Sequence, residues 1–122
     1  MEPNNIKLSF GTARIYGNIV EIIIDEGTVF HQGSLKELFN LFDTHFPDEN
    51  FGYISNRLND YSIDLSPALY QSFHKNLTAV AALCYSEISY KNAMFEKAFY
   101  KHKPFDAFKD YDQAIKWIKT YL

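Results

Sequence analysis

Leu77-Thr78-Ala79-Val80-Ala81-Ala82-Leu83-Cys84-Tyr85 carries apolar side chains on both faces of an extended chain. A half-buried strand alternates apolar and polar residues, whereas a parallel strand covered on both faces by helices is apolar almost throughout. The stretch therefore reads as a strand in the middle of a parallel sheet. Its flanks agree with that placement. Upstream, Ser66-Pro67 offers an N-cap followed by proline at the first helical position, which predicts a short helix from Pro67 to about His74. Downstream, Ile88, Phe95, Ala98 and Phe99 fall at helical spacing between Glu87 and Lys101, with Lys91, Glu96 and Lys97 left for solvent.

Working outward, Phe51 to Leu58 reads as the strand before this one, and the polar stretch Asn59 to Asp64 as the loop that leaves it. Ser34 and Glu37 have the spacing of a capping box, which starts a helix. Leu35, Leu38, Phe39, Phe42 and Phe46 form its apolar stripe, and Pro47 ends it. At the start of the chain, Ile6, Leu8 and Phe10 alternate with Lys7 and Ser9, and one strand is expected to continue to Ile15 and Tyr16. Gly17-Asn18 then makes a tight turn into Ile19 to Ile24, giving an antiparallel hairpin. At the other end, Pro104 to Phe108 is a short strand. Asp110 with Gln113 caps a last helix, whose stripe is Tyr111, Ala114, Ile115, Ile118 and Leu122. The order is ββαβαβαβα: an α/β fold with an N-terminal β-hairpin and mostly parallel strands, joined by right-handed crossovers in a single domain over residues 1–122.

Composition removes several functions. Of 122 residues 47% are hydrophobic, enough for one core, and the 17% that are aromatic supply much of its area. The net charge of -3 is spread along the chain without a Lys/Arg cluster, so nucleic acid is not an expected partner. No apolar run approaches the roughly 20 residues of a membrane span, and Met1 to Asn5 lacks the layout of a signal peptide, so the expected location is the cytoplasm. Cys84 has no cysteine to pair with and lies in the apolar strand, where an inert buried thiol is expected. No G-x-G or phosphate-binding glycine loop is present. His31, His45, His74 and His102 lack metal-ligand spacing. A Cys84–histidine nucleophile pair has no activating charge nearby, and Asp25-Glu26 near His31 reads as a solvated turn. No catalytic residue, metal or cofactor is expected.

The element order, the run Ala79 to Leu83, the helix with Asn92, Phe95 and Phe99, the segment Lys103-Pro104-Phe105 and the close Ala114-Ile115-Lys116-Trp117-Ile118 together resemble the STAS/SpoIIAA-like family of sulfate-transporter and anti-sigma-factor-antagonist domains. The resemblance spans nearly the whole chain and implies a non-enzymatic regulatory or protein-interaction module. It implies that the partner surface is the loop after the third strand with the start of the next helix, here Ser55 to Ser66. In anti-sigma-factor antagonists an aspartate, one or two serines and a glycine open that helix, and a serine there is phosphorylated. This chain has Asp64 and Ser66, with Leu65 between them and Pro67 following.

The same loop has a physical reading of its own. Ligands of open α/β sheets sit beyond the carboxyl ends of the parallel strands. Arg57, Asn59, Tyr61 and Ser62 fall there, suited to an anion or a peptide. A phosphate on Ser62 or Ser66 is compatible with the positive end of the expected helix. Against this, Ser66 is equally a plain cap, and Arg57 a partner of Asp60 or Asp64. Tyr85, at the end of the apolar strand, joins Tyr53, Tyr61 and Tyr90 as candidates for an aromatic-lined crevice; a homo-oligomer contact or a ring-rich core fits the same excess. Alternative functions are a carrier of a small apolar molecule or lipid, marked by a closed apolar pocket, and an enzyme with an aligned histidine or carboxylate. As a surface residue, Arg57 is expected to tolerate alanine without unfolding.

Overall fold

The computed structural model describes residues 4–64, 66, 74–100 and 103–122. Eight strands and three helices are defined among them: β1 (Asn4–Leu8), β2 (Gly11–Tyr16), β3 (Ile19–Ile24), β4 (Val29–Phe30), α1 (Gln32–His45), β5 (Phe51–Asn56), β6 (Ser62–Ile63), β7 (Leu77–Leu83), α2 (Glu87–Glu96), β8 (Phe105–Phe108) and α3 (Tyr111–Lys119), with a 3₁₀ turn, Lys97–Phe99, directly after α2. The helix expected over Pro67 to His74 lies, up to residue 73, outside the described residues.

Six strands form one sheet in the order β1-β2-β3-β5-β7-β8. β1, β2 and β3 are antiparallel neighbours, and β3, β5, β7 and β8 run parallel. The apolar run is β7, inside the sheet with a parallel strand on each side, as its lack of a polar face requires. Side chains alternate across the sheet, so adjacent residue rows meet different layers. The row Ala13, Ile22, Ser55, Ala82 and Ala107 belongs to the face that packs with Leu38 and Phe42 of α1 and Ala93 of α2. The row Arg14, Glu21, Ile54, Ala81 and Asp106 is on the other, where Ile54 and Ala81 pack with Ala114 and Ile118 of α3.

The first core is ring-rich. Phe46 stacks on Phe51 at 4.6 Å between centroids, and Phe42 meets Phe51 at 4.7 Å. Such contacts add specificity of geometry to the area buried. The second core is thin, and Gly52 makes it so: a Cβ there would stand 2.3 Å from Ile118 Cγ2. α3 can lie against β5 only because that side chain is missing.

Several local readings are corrected. The single strand expected from Ile6 to Tyr16 is two, β1 and β2, folded back at Ser9-Phe10. Ser9 donates its N–H at 2.8 Å and its hydroxyl to the Glu37 carboxylate on α1, which fixes the turn. Glu37 is thus not part of a capping box. The box is one turn earlier: His31 Nδ1 accepts from the Gly33 N–H at 2.9 Å, and Ser34 Oγ accepts from the His31 N–H at 3.3 Å. The turn Gly17-Asn18 is as expected, with Gly17 at φ 59°. Asn59 to Asp64, expected as open loop, contains β6, which pairs with β4 as a separate two-stranded parallel ladder. α2 is rotated from its expected setting. Ile88 and Phe95 are 74% and 73% exposed, while Ala93 is buried.

A Gly52→Ala variant is expected to lose about 1–3 kcal/mol of stability, because the added methyl overpacks the α3 contact. Urea denaturation checks this: the midpoint falls while the slope is unchanged.

Candidate functional site

Beyond the last residue of β5 the chain continues with Arg57, whose backbone N–H still donates to Leu83 O at 2.9 Å, so the side chain keeps the strand's alternation. Phe51, Tyr53, Ser55 and Arg57 therefore share the face of α1 and α2. The Arg57 guanidinium meets the Glu96 carboxylate as a fork, Nη1 to Oε2 at 2.6 Å and Nη2 to Oε1 at 3.0 Å, and Nε donates to Ser55 Oγ at 3.2 Å. Both charged side chains are only 15% exposed. Burial disfavours the arginine's charge, but the hydrogen bonds to Glu96 and the field of Tyr61 outweigh it, and its pKa is raised. Arg57 therefore does not pair with Asp60 or Asp64, and Glu96 is not a solvated residue of α2.

This ion pair closes one end of a cavity of about 100 Å³ between α1 and the end of α2. Leu35, Leu38, Phe39 and Phe42 of α1, with Leu77 and Val80 of β7, make its apolar wall; Tyr53, Tyr61 and Tyr100 stand toward the ion pair. Burial raises the Tyr53 and Tyr100 pKa values above the usual phenol range, and both remain neutral at ordinary pH. His74 also lines the cavity, its ring edge-on to Phe39 and Phe42. Its Nδ1 accepts from the Asn76 N–H at 3.2 Å, so the ring proton lies on Nε2, 2.5 Å from Asp43 Oδ1.

On the outer side of Arg57 a second depression, of about 200 Å³, is bordered by Asn59, Asp60, Tyr61 and Ile63 on the loop and by Ser86, Ile88, Ser89 and Asn92 on α2. The loop is strapped down. Asn59 Nδ2 donates to Ile24 O at 3.0 Å, and the Asp60 N–H donates to Glu26 Oε2 at 2.7 Å. Ile88 and Phe95 of α2 and Phe99 of the 3₁₀ turn are exposed, Ile88 at the edge of this depression and the Phe95 and Phe99 rings 5.8 Å apart.

Of the residues singled out in the sequence, Arg57, Asn59 and Tyr61 are brought together here. Ser62 and Ser66 are exposed and border neither depression among the described linings. Tyr85 is exposed in a separate shallow site with Cys84, Ser86, Glu87 and Lys109. Ser86 is the N-cap of α2, accepting from the Ser89 N–H at 3.1 Å. Cys84 is buried, as expected of the strand it ends. Among the described residues no helix is long and apolar enough to cross a membrane.

No protein-family profile matches the chain, and no curated protein is similar to it. Among solved structures the chain is similar to an uncharacterized protein of the DUF3478 family from Shewanella loihica PV-4. That protein has a SpoIIAA-like fold, and the two superpose with a TM-score of 0.57 over 95% of this chain and 91% of that one, at 11% sequence identity. The chain has a SpoIIAA-like fold.

In this SpoIIAA-like fold the residue that sequence reasoning missed outright is Glu96, which lies 39 positions from Arg57 and carries no local signal. Tyr53 and Tyr61, two of the tyrosines read as candidates for an aromatic crevice, do line the inner cavity, while Tyr85 and Tyr90 do not. Truncating one partner leaves a buried charge. Arg57→Ala is therefore expected to cost about 3–5 kcal/mol, whereas Arg57→Met with Glu96→Met is close to neutral. Chemical denaturation of the two variants separates these outcomes. The raised phenol pKa values also set a pH response: neutral Tyr53 and Tyr100 stabilise the fold fully below the ordinary phenol value of 10. That contribution is lost as pH rises above it. The midpoint of thermal unfolding is expected to be level to about pH 9 and to fall beyond pH 10, less steeply in Tyr53→Phe.

Proposed function

We propose that this chain is a non-enzymatic, cytoplasmic interaction module that binds a protein partner through the loop Arg57 to Asp64 and the outer side of α2. The observation that carries this reading is the exposure of Ile88, Phe95 and Phe99 on α2 and its 3₁₀ turn, with Ile88 bordering a polar depression that has Asn59, Asp60, Ser89 and Asn92 at its rim. Large exposed apolar side chains interspersed with polar groups are the usual make-up of a protein contact surface. The fold supports it as well, since the loop leaves the carboxyl end of a parallel strand, where open α/β sheets place their ligands. The resemblance in sequence to STAS/SpoIIAA-like domains implies a partner surface on this same loop.

Phe95→Glu is the variant to compare with the native chain in affinity capture from cells of its own source, with Tyr121→Glu as a control at an exposed position away from α2. A partner held by the native chain and the control, and reduced roughly tenfold with Phe95→Glu at unchanged circular dichroism, is the expected result. Equal capture by all three chains would place the contact elsewhere.

A further inference from the structure

The cavity between α1 and the end of α2 is not used by the outer contact surface, and its chemistry is specific. We propose that it is a binding site for a small, neutral, mostly apolar molecule that carries one hydroxyl or carbonyl group. Size comes first. About 100 Å³ is the same order as the roughly 150 Å³ apolar cavity known to admit benzene, so the occupant is ring-sized. The wall made by Leu35, Leu38, Phe39, Phe42, Leu77 and Val80 offers no hydrogen bond, which selects an apolar body.

The polar end selects the rest. Among the described residues the Tyr53 hydroxyl makes no hydrogen bond to the protein, although it lines the cavity. The hydroxyl is reachable from the cavity, so a ligand oxygen can pair with it there, beside apolar walls where such a bond is stronger than in water. Charge is the second selector. Arg57 stands at this end, but its guanidinium is already matched by the Glu96 fork. An anionic ligand would bring a charge into an apolar space that, among the described residues, offers no cation free of a partner to meet it. The site therefore discriminates between molecules of one shape by their polar group: hydroxyl preferred, none tolerated, carboxylate rejected.

Phenol, benzene and benzoate share a ring and differ only in that group. The test is titration of the isotope-labelled full chain with each, followed by NMR. Phenol is expected to give saturable shifts at Leu35, Leu38, Tyr53 and Val80, benzene weaker shifts at the same residues, and benzoate none there. In Tyr53→Phe, phenol affinity is expected to fall roughly tenfold, to the level of benzene, with benzene unchanged. Phe95→Glu, on the outer stripe, is expected to leave all three titrations as they were, so that a failed cavity and a failed contact surface are told apart. The proposal is overturned by benzoate binding as tightly as phenol, by phenol and benzene binding equally in the native chain, by phenol unaffected in Tyr53→Phe, or by no saturable shift with any probe.

Discussion

The fork between Arg57 and Glu96 ties the carboxyl end of a core strand to the last residue of α2, and the disposition of that half of the molecule follows from it. Desolvating both charges costs several kcal/mol per ion, and the attraction between them returns about as much. Its effect lies in orientation more than in net stability. A helix advances about 100° per residue, so drawing Glu96 inward sets which neighbours go with it. Ala93 is drawn in, and Tyr100, beyond the 3₁₀ turn, stacks on Phe105 at 4.3 Å. Phe95 and Ile88 are turned out. The apolar spacing along α2 is real, but the side it marks is not the buried one.

The opposite face of the sheet shows what happens without such a fork. Glu21 is 1% exposed and has two donors, the Tyr16 hydroxyl at 2.8 Å and Asn56 Nδ2 at 2.6 Å. These bonds run from β3 back to Tyr16 on β2 and across to Asn56 on β5, so one carboxyl group joins three adjacent strands. Asn56 Oδ1 is buried without a protein partner, which marks the outer limit of what this cluster satisfies. Nearby, burial and the hydrogen bond that the Tyr111 hydroxyl donates to Tyr16 hold the Tyr111 pKa above its usual range. The face covered by α3 is therefore held by a polar cluster as well as by the small apolar group around Ile54 and Ile118.

How much of this was legible in the sequence depends on the range of the interaction that fixes each part. Period alone places β3, β5 and β7, the stripe of α1, and the Asp110 cap of α3, whose side chain accepts from the Gln113 N–H at 3.0 Å. Each is a local pattern with a local cause. Period fails at Ser9-Phe10, because a tight turn preserves apolar alternation and two strands look like one; the signal that separates them is Glu37, 28 residues away. It fails again at β4 and β6, two residues each, which exist only as each other's partners. In the site, Arg57, Asn59 and Tyr61 come together because they are near neighbours at the end of one strand. Glu96 joins them through the topology, and no spacing in the chain announces it.

Arg57, Tyr61 and Ile63 line both the inner cavity and the outer depression, so the two spaces share a wall. That wall is stiff for a stated reason. The guanidinium is held at Nε by Ser55 and at both Nη atoms by Glu96, so moving it breaks three hydrogen bonds at once. A movement of Arg57 must be taken up by Glu96, and Glu96 is the last residue of the helix that carries Ile88 and Phe95 and leads into Phe99. The same geometry explains why these side chains can be exposed without loosening the fold: their helix is anchored from below by Glu96 and Ala93, and Ile88 and Phe95, at 74% and 73% exposure, bury little.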